Sequence, residues 1–338
     1  MCGAKYDTFA GAECNDEMLG IMRLFWRKPR VAADAADDDE DRLPFTEGGA
    51  ASSLELTNVG PYEIIAPVGS GGMGTVYKAI DRKRDMTVAI KVLKPEFDLD
   101  KKKRKRDYLG REILVAASLK HECIIRYHKE IIEQVDAQGR TRRCLLMEFV
   151  DGPDLRKHIA DRDLTVAQMV DVCIRLCRGL DFLHQNNIVH RDIKPGNFLF
   201  SRDMKQVKIC DFGLSKSSSS WRMRWVREGG GTRAYMSPEQ IENKGRGLDA
   251  RSDIFSFGIT MYELLAGRHP CDGRDSKEIM RQIRSSKYKF EPPSKYNPDV
   301  PSALDRIVLK SLRRRPEQRY QSMTEMLMDL TRVSESRI

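Results

Sequence analysis

The chain has 338 residues and a formal net charge of +9, with 40% hydrophobic and 32% charged residues. This ordinary globular composition excludes wholesale disorder and a fibrous repeat, and the length suits a two-lobed enzyme or two medium domains. The charge is uneven, because residues 1–57 carry a net −6 and residues 58–338 therefore carry +15. Such a basic surplus suits nucleic acid, anionic lipid or a phosphate-bearing ligand, and composition does not choose among them.

The eight cysteines show neither a zinc-site nor a disulfide pattern. No pair has CxxC spacing, and Cys173 and Cys177 lie four residues apart within an apolar helical pattern. We therefore expect small buried thiols in a reducing compartment. The N-terminus has no signal-peptide pattern and no run of 18 apolar residues occurs. These features predict a cytoplasmic protein without a transmembrane segment.

Residues 1–57 are predicted to form a flexible acidic arm. Residues 32–41 are acidic and low in complexity, and 47–53 are rich in small residues, so neither buries enough apolar surface to offset the entropy of ordering. Within the arm, residues 18–26 (MLGIMRLFW) are a short apolar segment. One interpretation is an amphipathic helix that contacts lipid or a partner. The other, which Gly20 and the short length favour, is a stretch that packs on its own domain or stays unstructured.

From Tyr62 onward the pattern changes to strands and then to helices. Short β-branched runs separated by turn residues predict five strands, at 62–68, 74–80, 86–92, 124–133 and 143–149. A helix is predicted between the third and fourth of them, at 108–119. Apolar residues near a 3.6-residue period then predict helices at 165–185, 252–265, 276–285 and 303–312. This order predicts an α+β fold in two lobes, with a small β-rich N-lobe carrying one helix and a larger, mainly α-helical C-lobe.

The segment from Gly69 to Gly74 (GSGGMG) is a GxGxxG motif, which is weak evidence on its own. Glycines let backbone N–H groups approach phosphates, and a dinucleotide site or a plain hairpin uses them as well. Here β-branched and aromatic residues follow, so the glycines join two strands, and no GxxxxGK[ST] P-loop is present. Lys91, 17 residues after Gly74 on an apolar strand, supplies the cation that a phosphate site needs.

With the motifs further along, the chain resembles the eukaryotic-type (Hanks-type) serine/threonine protein kinases, most closely their bacterial members, over residues 62–333. The motifs are the glycine loop, VAIK at 88–91, HRDIKPGN at 190–197, DFG at 211–213 and SPE at 237–239. The resemblance implies an N-lobe at 62–149 and a C-lobe at 150–333. It also implies transfer of the γ-phosphoryl group of ATP to serine or threonine with Mg²⁺, or Mn²⁺ in its place.

The same resemblance assigns a role to each site residue. Asp192 accepts or orients the proton of the substrate hydroxyl, and Lys194 faces the transferred phosphoryl group. Lys91 contacts the α- and β-phosphates and pairs with Glu112. The expected metal ligands are Asn197 and Asp211. The expected nucleotide contacts, in the glycine loop, at the hinge and beside the ribose, are Val68, Gly69, Ser70, Gly71, Gly72, Met73, Gly74, Thr75, Val76, Glu148, Val150 and Asp154.

Further assignments concern structure and specificity. Glu239 is expected to pair with Arg319, and Asp253 to hold the backbone of the loop around Asp192. Lys194 together with Thr232 is typical of the members that phosphorylate serine or threonine rather than tyrosine.

Regulation is expected in the segment between Asp211 and Glu239. Arg191 precedes the catalytic aspartate, and family members with this arginine use it to receive a phosphate that orders the segment. The candidate acceptors are Ser215 and the serines at 217–220.

Two other classes of function are weighed against the kinase reading. A pseudokinase-like interaction scaffold with residual ATP binding usually lacks the strand lysine or one of the two aspartates, and here Lys91, Asp192 and Asp211 are present. A nucleic-acid-binding protein rests only on the basic surplus and the run 101–106, which is more simply a solvated face or a docking patch. The expected partners are protein substrates and a second copy of the chain for autophosphorylation, with no specific nucleic acid.

Overall fold

The computed structural model describes residues 56–71, 74–94, 108–136, 139–212, 231–242 and 247–336, apart from the side chains of 108–112, 231 and 232. Several sequence-based expectations lie outside the described residues. They concern the arm up to residue 55 with its segment 18–26, the basic run 101–106, and the serines at 215 and 217–220.

Six strands form one antiparallel sheet in the first part of the described chain. They are β1 (Asn58–Val59), β2 (Tyr62–Gly71), β3 (Gly74–Asp81), β4 (Met86–Leu93), β5 (Tyr127–Val135) and β6 (Thr141–Glu148). Their order in the sheet is β1-β2-β3-β4-β6-β5. The last six residues of β4 are all buried because this strand is central and covered on both faces, which fits its apolar sequence. The side chain of Lys91 is therefore placed inside the fold.

One helix, α1 (Tyr108–Ser118), lies between β4 and β5 in the chain, and the rest of the described chain is mostly helical. The helices are α2 (Leu155–Asp161), α3 (Val166–Gln185), α4 (Pro238–Glu242), α5 (Ala250–Ala266), α6 (Ser276–Arg284), α7 (Ser302–Ser311) and α8 (Met323–Glu335). A small hairpin of β7 (Phe198–Phe200) and β8 (Val207–Ile209) follows α3. The predicted α+β fold in two lobes is confirmed. In the described part of the chain, no helix has both the length and the apolar character needed to cross a bilayer.

The centre of the helical part is α5, which is buried on nearly all sides. It begins at Asp249, whose carboxylate accepts a hydrogen bond from the Arg251 N–H at 2.9 Å. A Cβ added at Gly258 would lie 2.7 Å from the Cβ of Ser311, so glycine permits the close approach of α5 and α7. The first turn of α5 is thus held rigidly beneath the loop that carries Asp192.

The predicted strand at 124–133 is wrong at its start, because β5 begins only at Tyr127. Ile124 instead forms an isolated parallel bridge with Ile209 of β8, and the Ile125 N–H donates to the Ile209 carbonyl at 2.9 Å. This stretch of chain therefore ties the sheet to the hairpin that precedes Asp211. The sheet also begins earlier than expected, since Thr57 accepts a hydrogen bond from the Ile64 N–H at 3.0 Å.

Candidate active site

The loop that carries Asp192 is held from below by Asp253 in the first turn of α5. The Asp253 carboxylate accepts hydrogen bonds from the N–H groups of His190 at 2.7 Å and Arg191 at 2.8 Å, and His184 Nε2 lies 2.8 Å away. Burial alone would raise the pKa of Asp253, but the hydrogen bond and charge of His184, with His190 and the Arg191 N–H, together hold that pKa below its usual range. The expected role of Asp253 is confirmed.

His190 connects this loop to the chain just before Asp211. Its Nδ1 accepts the Asp192 N–H at 3.3 Å, and its Nε2 lies 3.0 Å from the carbonyl oxygen of Cys210. Because Nδ1 accepts and Nε2 donates, these partners assign the neutral Nε2–H tautomer. The buried ring of His190 therefore holds the loop that carries Asp192 in a fixed position relative to the start of the DFG motif.

The side chains of Asn197 and Lys194 converge on the carboxylate of Asp192. Asn197 Nδ2 donates to Asp192 Oδ2 at 3.0 Å and to the Asp192 carbonyl at 2.6 Å, and Lys194 Nζ lies 3.7 Å from Oδ2. The other carboxylate oxygen of Asp192 is buried and has no hydrogen-bond partner among the described residues. Because Nδ2 faces Asp192, the side-chain oxygen of Asn197 points away from that carboxylate.

Buried Lys91 forms an ion pair with the half-buried Asp211. Lys91 Nζ lies 2.7 Å from each carboxylate oxygen of Asp211, and Lys91 is only 3% exposed. Burial would raise the pKa of Asp211, but the Lys91 ammonium outweighs it and keeps the carboxyl ionised. This contact was not predicted from the sequence. The predicted partner of Lys91, Glu112, is on α1, and its side chain lies outside the described part of the structure.

Phe212 fixes the direction of Asp211. Its ring is buried in edge-on contact with Tyr127, at a centroid distance of 5.7 Å, and lies 6.4 Å from the His190 ring. The Asp211 backbone has a φ of 60°, a left-handed conformation that costs a non-glycine residue energy. Packing of Phe212 maintains this conformation and turns the aspartate toward Lys91.

The glycine turn joins β2 to β3, as the sequence predicts. Gly71 pairs with Gly74, Ser70 with Thr75 and Gly69 with Val76 across the two strands. A Cβ at Gly74 would lie 2.1 Å from the Val92 carbonyl oxygen, so the chain itself requires glycine there. Among the residues that the structure describes, a Cβ at Gly69 or Gly71 would meet no atom within 4 Å. The open space beside these two glycines leaves room for a ligand, whereas Gly72 and Met73 lie outside the described residues.

The predicted hinge, residues 147–150, lies at the end of β6. The Glu148 N–H donates to the Arg126 carbonyl at 2.9 Å, while Glu148 Oε1 accepts the Arg126 N–H at 2.8 Å and lies 2.9 Å from Lys208 Nζ. Lys208 is on β8, so the hinge is tied to the strand before Asp211. The N–H of Val150 donates no hydrogen bond to any residue that the structure describes, which leaves it available at the expected adenine edge.

Asp154, a predicted nucleotide contact, already has a partner in the structure, and Val68, another, lies where the strand register is irregular. Asp154 caps α2 by accepting the Arg156 N–H at 2.9 Å, and its carboxylate also binds the Arg156 guanidinium at 2.8 Å. The predicted contact of Asp154 with a ribose would therefore share this carboxylate with Arg156. Val68 lies in β2, where the register shifts between Pro67 and Gly69.

Side-chain contacts anchor residues 235–240, which follow the undescribed residues 213–230. Arg319, whose side chain is fully buried, donates to both oxygens of Glu239 at 2.7 and 2.8 Å, which confirms the predicted pair. Two further contacts were not predicted. Tyr235 donates to Glu263 at 2.7 Å, and Gln240 donates to the Arg191 carbonyl at 2.9 Å. A polar residue such as Gln240 one position after the SPE motif carries no signal of its partner in sequence.

The described residues fit ATP and a divalent metal. Buried Lys91 and the open space at Gly69 and Gly71 suit phosphates. The Val150 N–H, which donates to no described residue, suits an adenine edge. The described residues contain no group of three or more His, Cys, Asp or Glu side chains that could hold a metal by themselves. One carboxylate and one amide oxygen, from Asp211 and Asn197, are nonetheless the set that Mg²⁺ takes when phosphates and water supply its other ligands.

An antiparallel sheet above a helical part, with these charged groups converging between them, defines the class of nucleotide-dependent phosphotransferases. The particular family follows from sequence comparison. Residues 62–330 match the protein kinase domain family, and the chain belongs to it. Family members use ATP and a divalent metal.

Curated relatives are serine/threonine-protein kinases of bacteria. The chain is 35% identical over 274 residues to a probable serine/threonine-protein kinase of Clostridium acetobutylicum, and 34% identical over 276 residues to PknB of Mycobacterium tuberculosis. Each alignment covers 80% of this chain but only 40% and 42% of the respective relative, so the chain spans about two fifths of their length.

Solved structures show the same fold. The PknI kinase domain of Mycobacterium tuberculosis matches with a TM-score of 0.60 at 26% identity, over 83% of this chain and 99% of that chain. Rad53 1–466 in complex with AMP-PNP matches with a TM-score of 0.61 at 28% identity, over 79% and 64% of the two chains.

Proposed function

We propose that this protein transfers the γ-phosphoryl group of ATP to serine or threonine hydroxyls of protein substrates. The observation that carries the proposal is the Asp192 carboxylate. One oxygen is fixed by Asn197 at 3.0 Å, and the other is buried without a partner among the described residues. An unpartnered carboxylate oxygen on a loop fixed by Asp253 has unused hydrogen-bonding capacity, which suits a proton acceptor for a substrate hydroxyl.

Bound ATP supplies the phosphoryl group, and a bound metal neutralises charge on its phosphates. Asn197 and Asp211 would hold the metal. Mg²⁺ is proposed because one carboxylate and one amide oxygen leave positions for phosphates and water, and Mn²⁺ accepts the same ligands. Lys91 would bind the α- and β-phosphates beside Asp211, and Glu112 would hold its ammonium. Lys194, near the Asp192 carboxylate, would face the transferred group.

The adenine and ribose contacts are part of the same proposal. The Val150 N–H and the Glu148 carbonyl would bond the adenine edge, and Asp154 would meet the ribose while retaining Arg156. Backbone groups of the glycine loop, residues 68–76, would cover the phosphates. Support comes from the undonated Val150 N–H and from the space beside Gly69 and Gly71.

The acceptor is proposed to be serine or threonine rather than tyrosine. The support is Lys194, which lies 3.7 Å from the Asp192 carboxylate and which, together with Thr232, is typical of members that phosphorylate serine or threonine. Phosphoamino-acid analysis of the autophosphorylated chain and of a mixed protein substrate tests this. We expect phosphoserine and phosphothreonine, both absent with Asp192→Asn and present with Asp203→Asn, an exposed control. Dominant phosphotyrosine would contradict the specificity, and ATP binding without any transfer would support the interaction scaffold instead.

We also propose that phosphorylation between Asp211 and Glu239 switches activity, with a second copy of the chain as the phosphorylating enzyme. The support is electrostatic. Buried guanidinium nitrogens of Arg191 and Arg233 have no hydrogen-bond partner among the described residues. A phosphate on Ser215 or on a serine at 217–220 would give them a charge-assisted partner.

Intact-mass measurement and peptide mapping before and after incubation with ATP and Mg²⁺ test this switch. We expect a lag in substrate phosphorylation that shortens as the concentration of the chain rises. A variant with all five serines changed to alanine should stay slow. If that variant and Arg191→Ala both reach the wild-type rate from the first minute, the switch does not exist.

The proposed compartment is the cytoplasm. The described cysteines form no disulfide, as is usual in reducing compartments; they are Cys123, Cys144, Cys173, Cys177, Cys210 and Cys271. Fractionation of the native host with an antibody to the chain tests the proposal. Recovery of the chain outside the cytoplasmic fraction would contradict it.

A further inference from the structure

Helix α6 carries a row of exposed cations. Lys277, Arg281 and Arg284 are spaced i, i+4 and i+7, which places them within about a 60° arc of the helix and over about 10 Å of its length. All three are exposed, and so are Lys287 and Lys289 just after the helix. We call these five residues the α6 basic stripe.

The stripe has few counter-ions. Arg281 contacts Glu278 at 3.1 Å, and the other four cations make no ion pair within the described residues. Helix stability accounts for only part of the stripe. Arg281 and Arg284 lie in the last turn of α6, where cations are favoured, whereas Lys277 lies in the first turn and Lys287 and Lys289 lie beyond the end.

The stripe is presented on a rigid support. Arg314 donates to the carbonyl oxygens of Ile283, at 3.1 Å, and of Tyr288, and the Tyr288 hydroxyl donates to the Pro270 carbonyl at 2.9 Å. Ile283 itself is fully buried on the opposite face of α6. The end of α6 and the loop after it are thus fixed before any partner binds, which lowers the entropic cost of binding.

The position of α6 relates the stripe to Asp192. The helix packs against the turn Gly231–Tyr235 and against α4. Gln240 of α4 donates to the carbonyl of Arg191, the neighbour of Asp192 in the chain. Helix α6 therefore lies next to elements that hold the loop of Asp192.

We propose that the α6 basic stripe binds an acidic segment of the protein substrate, separate from the residue that is phosphorylated. This inference rests on the proposed function and adds the substrate class to it. An acidic protein segment fits better than nucleic acid, because five cations are fewer than the roughly 6–10 phosphate contacts of a typical DNA-binding surface. The packing of α6 against elements that hold the loop of Asp192 further favours a substrate protein.

Direct binding tests the stripe without relying on catalysis. The probes are a fluorescent peptide of about eight glutamates, the same peptide with glutamines, a short DNA duplex, and phosphatidylserine vesicles, each titrated with the full chain. The test variant is Lys277→Ala, Arg281→Ala and Arg284→Ala together. The matched control removes three exposed cations of the sheet and its loops, Lys83→Ala, Lys120→Ala and Lys129→Ala.

We expect the glutamate peptide to bind and the glutamine peptide not to bind. The test variant should weaken binding about tenfold at about 50 mM salt, with the difference shrinking as salt rises, because exposed ion pairs are individually weak and screened. Three results would overturn the inference: no preference for glutamate, equal weakening in the control variant, or tighter stripe-dependent binding of DNA or vesicles than of the peptide.

Kinetics separate this inference from the proposed function. The acceptors are the chain's own segment 213–221 as a peptide, with and without the glutamate extension. We expect the extension to lower KM in the wild type and not in the test variant, with kcat unchanged in both. If neither peptide is phosphorylated while glutamate binding still depends on the stripe, phosphoryl transfer is contradicted and the docking surface stands. An equal KM for the two peptides would overturn the docking surface alone.

Discussion

At Asp211 three separate constraints act on one carboxylate. Its backbone is left-handed, its neighbour Phe212 is locked between aromatic rings, and its charge is balanced by Lys91 at 2.7 Å. Burial raises the pKa of such a group, and the lysine more than offsets that effect. The carboxylate is therefore kept ionised and aimed, which is the state that a metal ligand requires.

Asp211→Asn should remove the metal-dependent part of nucleotide binding, because an amide is a far weaker ligand for Mg²⁺ than a carboxylate. We expect ATP with Mg²⁺ to raise the Tm of this variant no more than ATP with EDTA does. The exposed control Asp203→Asn should keep the wild-type difference. A full Mg²⁺-dependent shift in Asp211→Asn would show that Asp211 does not hold the metal.

His269 should make stability depend on pH. Burial lowers the pKa of His269, whose Nδ1 accepts the Cys271 N–H at 3.1 Å while Nε2 lies 3.1 Å from the Ala234 carbonyl. Because the folded state favours the neutral ring, this stability is present above the ordinary pKa of 6.5 and is lost as the pH falls below it.

The test compares Tm at about pH 7.5 and about pH 5.5, on either side of the ordinary histidine pKa. His269→Asn should shrink the difference. An unchanged pH dependence in His269→Asn would refute the assignment.

Sequence motifs identified the residues of the site better than their partners. Asp192, Asn197 and Lys194 were predicted together and lie together, as do Glu239 and Arg319. The Lys91–Asp211 pair joins residues 120 positions apart, and no local pattern encodes which carboxylate a buried lysine meets. The roles of these residues in catalysis stay predictions.

Among the elements, α5 depends on the buried pair between Glu239 and Arg319. Burial would raise the pKa of Glu239, but the hydrogen bond and charge of Arg319, with further hydrogen bonds including that from Ser252, together lower that pKa. Arg319 also donates to the carbonyls of Arg313, Arg251 and Arg314. The pair thus joins α4, the start of α5 and the chain before α8.

Arg319→Met should destabilise the fold by about 3–5 kcal/mol, because it leaves the buried Glu239 carboxylate unpaired. Adding Glu239→Met should recover part of that loss, since no uncompensated charge then remains. Urea unfolding of both variants measures the difference. A cost under about 1 kcal/mol for Arg319→Met, within the range of surface substitutions, would contradict a structural role for the pair.

The glycine turn gives a paired test of the element. Gly74→Ala should cost about 1–3 kcal/mol, because its Cβ would overlap the Val92 carbonyl of the central strand. Gly71→Ala should leave the fold within about 0.5 kcal/mol, because its Cβ meets open space. Thermal unfolding of the two variants decides, and equal stability would contradict the described register between β3 and β4.

Most of the longer elements were predicted, but the 13-residue helix α8 was missed, as were the shorter α2 and α4. Strands β2 to β4 and β6 and helices α1, α3, α5, α6 and α7 follow clear periodic patterns. The three-residue strands β7 and β8 are too short to show alternation. Residues 124–126 read as strand from composition, but tertiary pairing with Ile209 decides their structure.

Across the whole kinase domain, the sheet and the helical part are joined by a few polar contacts around the site. Glu148 binds Arg126 and Lys208, Ile125 binds Ile209, and His190 binds Cys210. These contacts connect the hinge, the strand before Asp211 and the catalytic loop. The fold class was predictable because order and periodicity encode it, whereas these long-range contacts depend on the assembled structure.

The central claim is that Asp192 takes the proton of a substrate hydroxyl during phosphoryl transfer from ATP. The most direct test is the initial rate of phosphate incorporation into serine, measured for the wild type and for Asp192→Asn with ATP affinity determined alongside. We expect transfer by the wild type and a loss on the order of 10²–10³ in Asp192→Asn at unchanged ATP affinity and Tm. An Asp192→Asn enzyme with full activity, or a wild type that binds ATP with Mg²⁺ and transfers nothing, would contradict it.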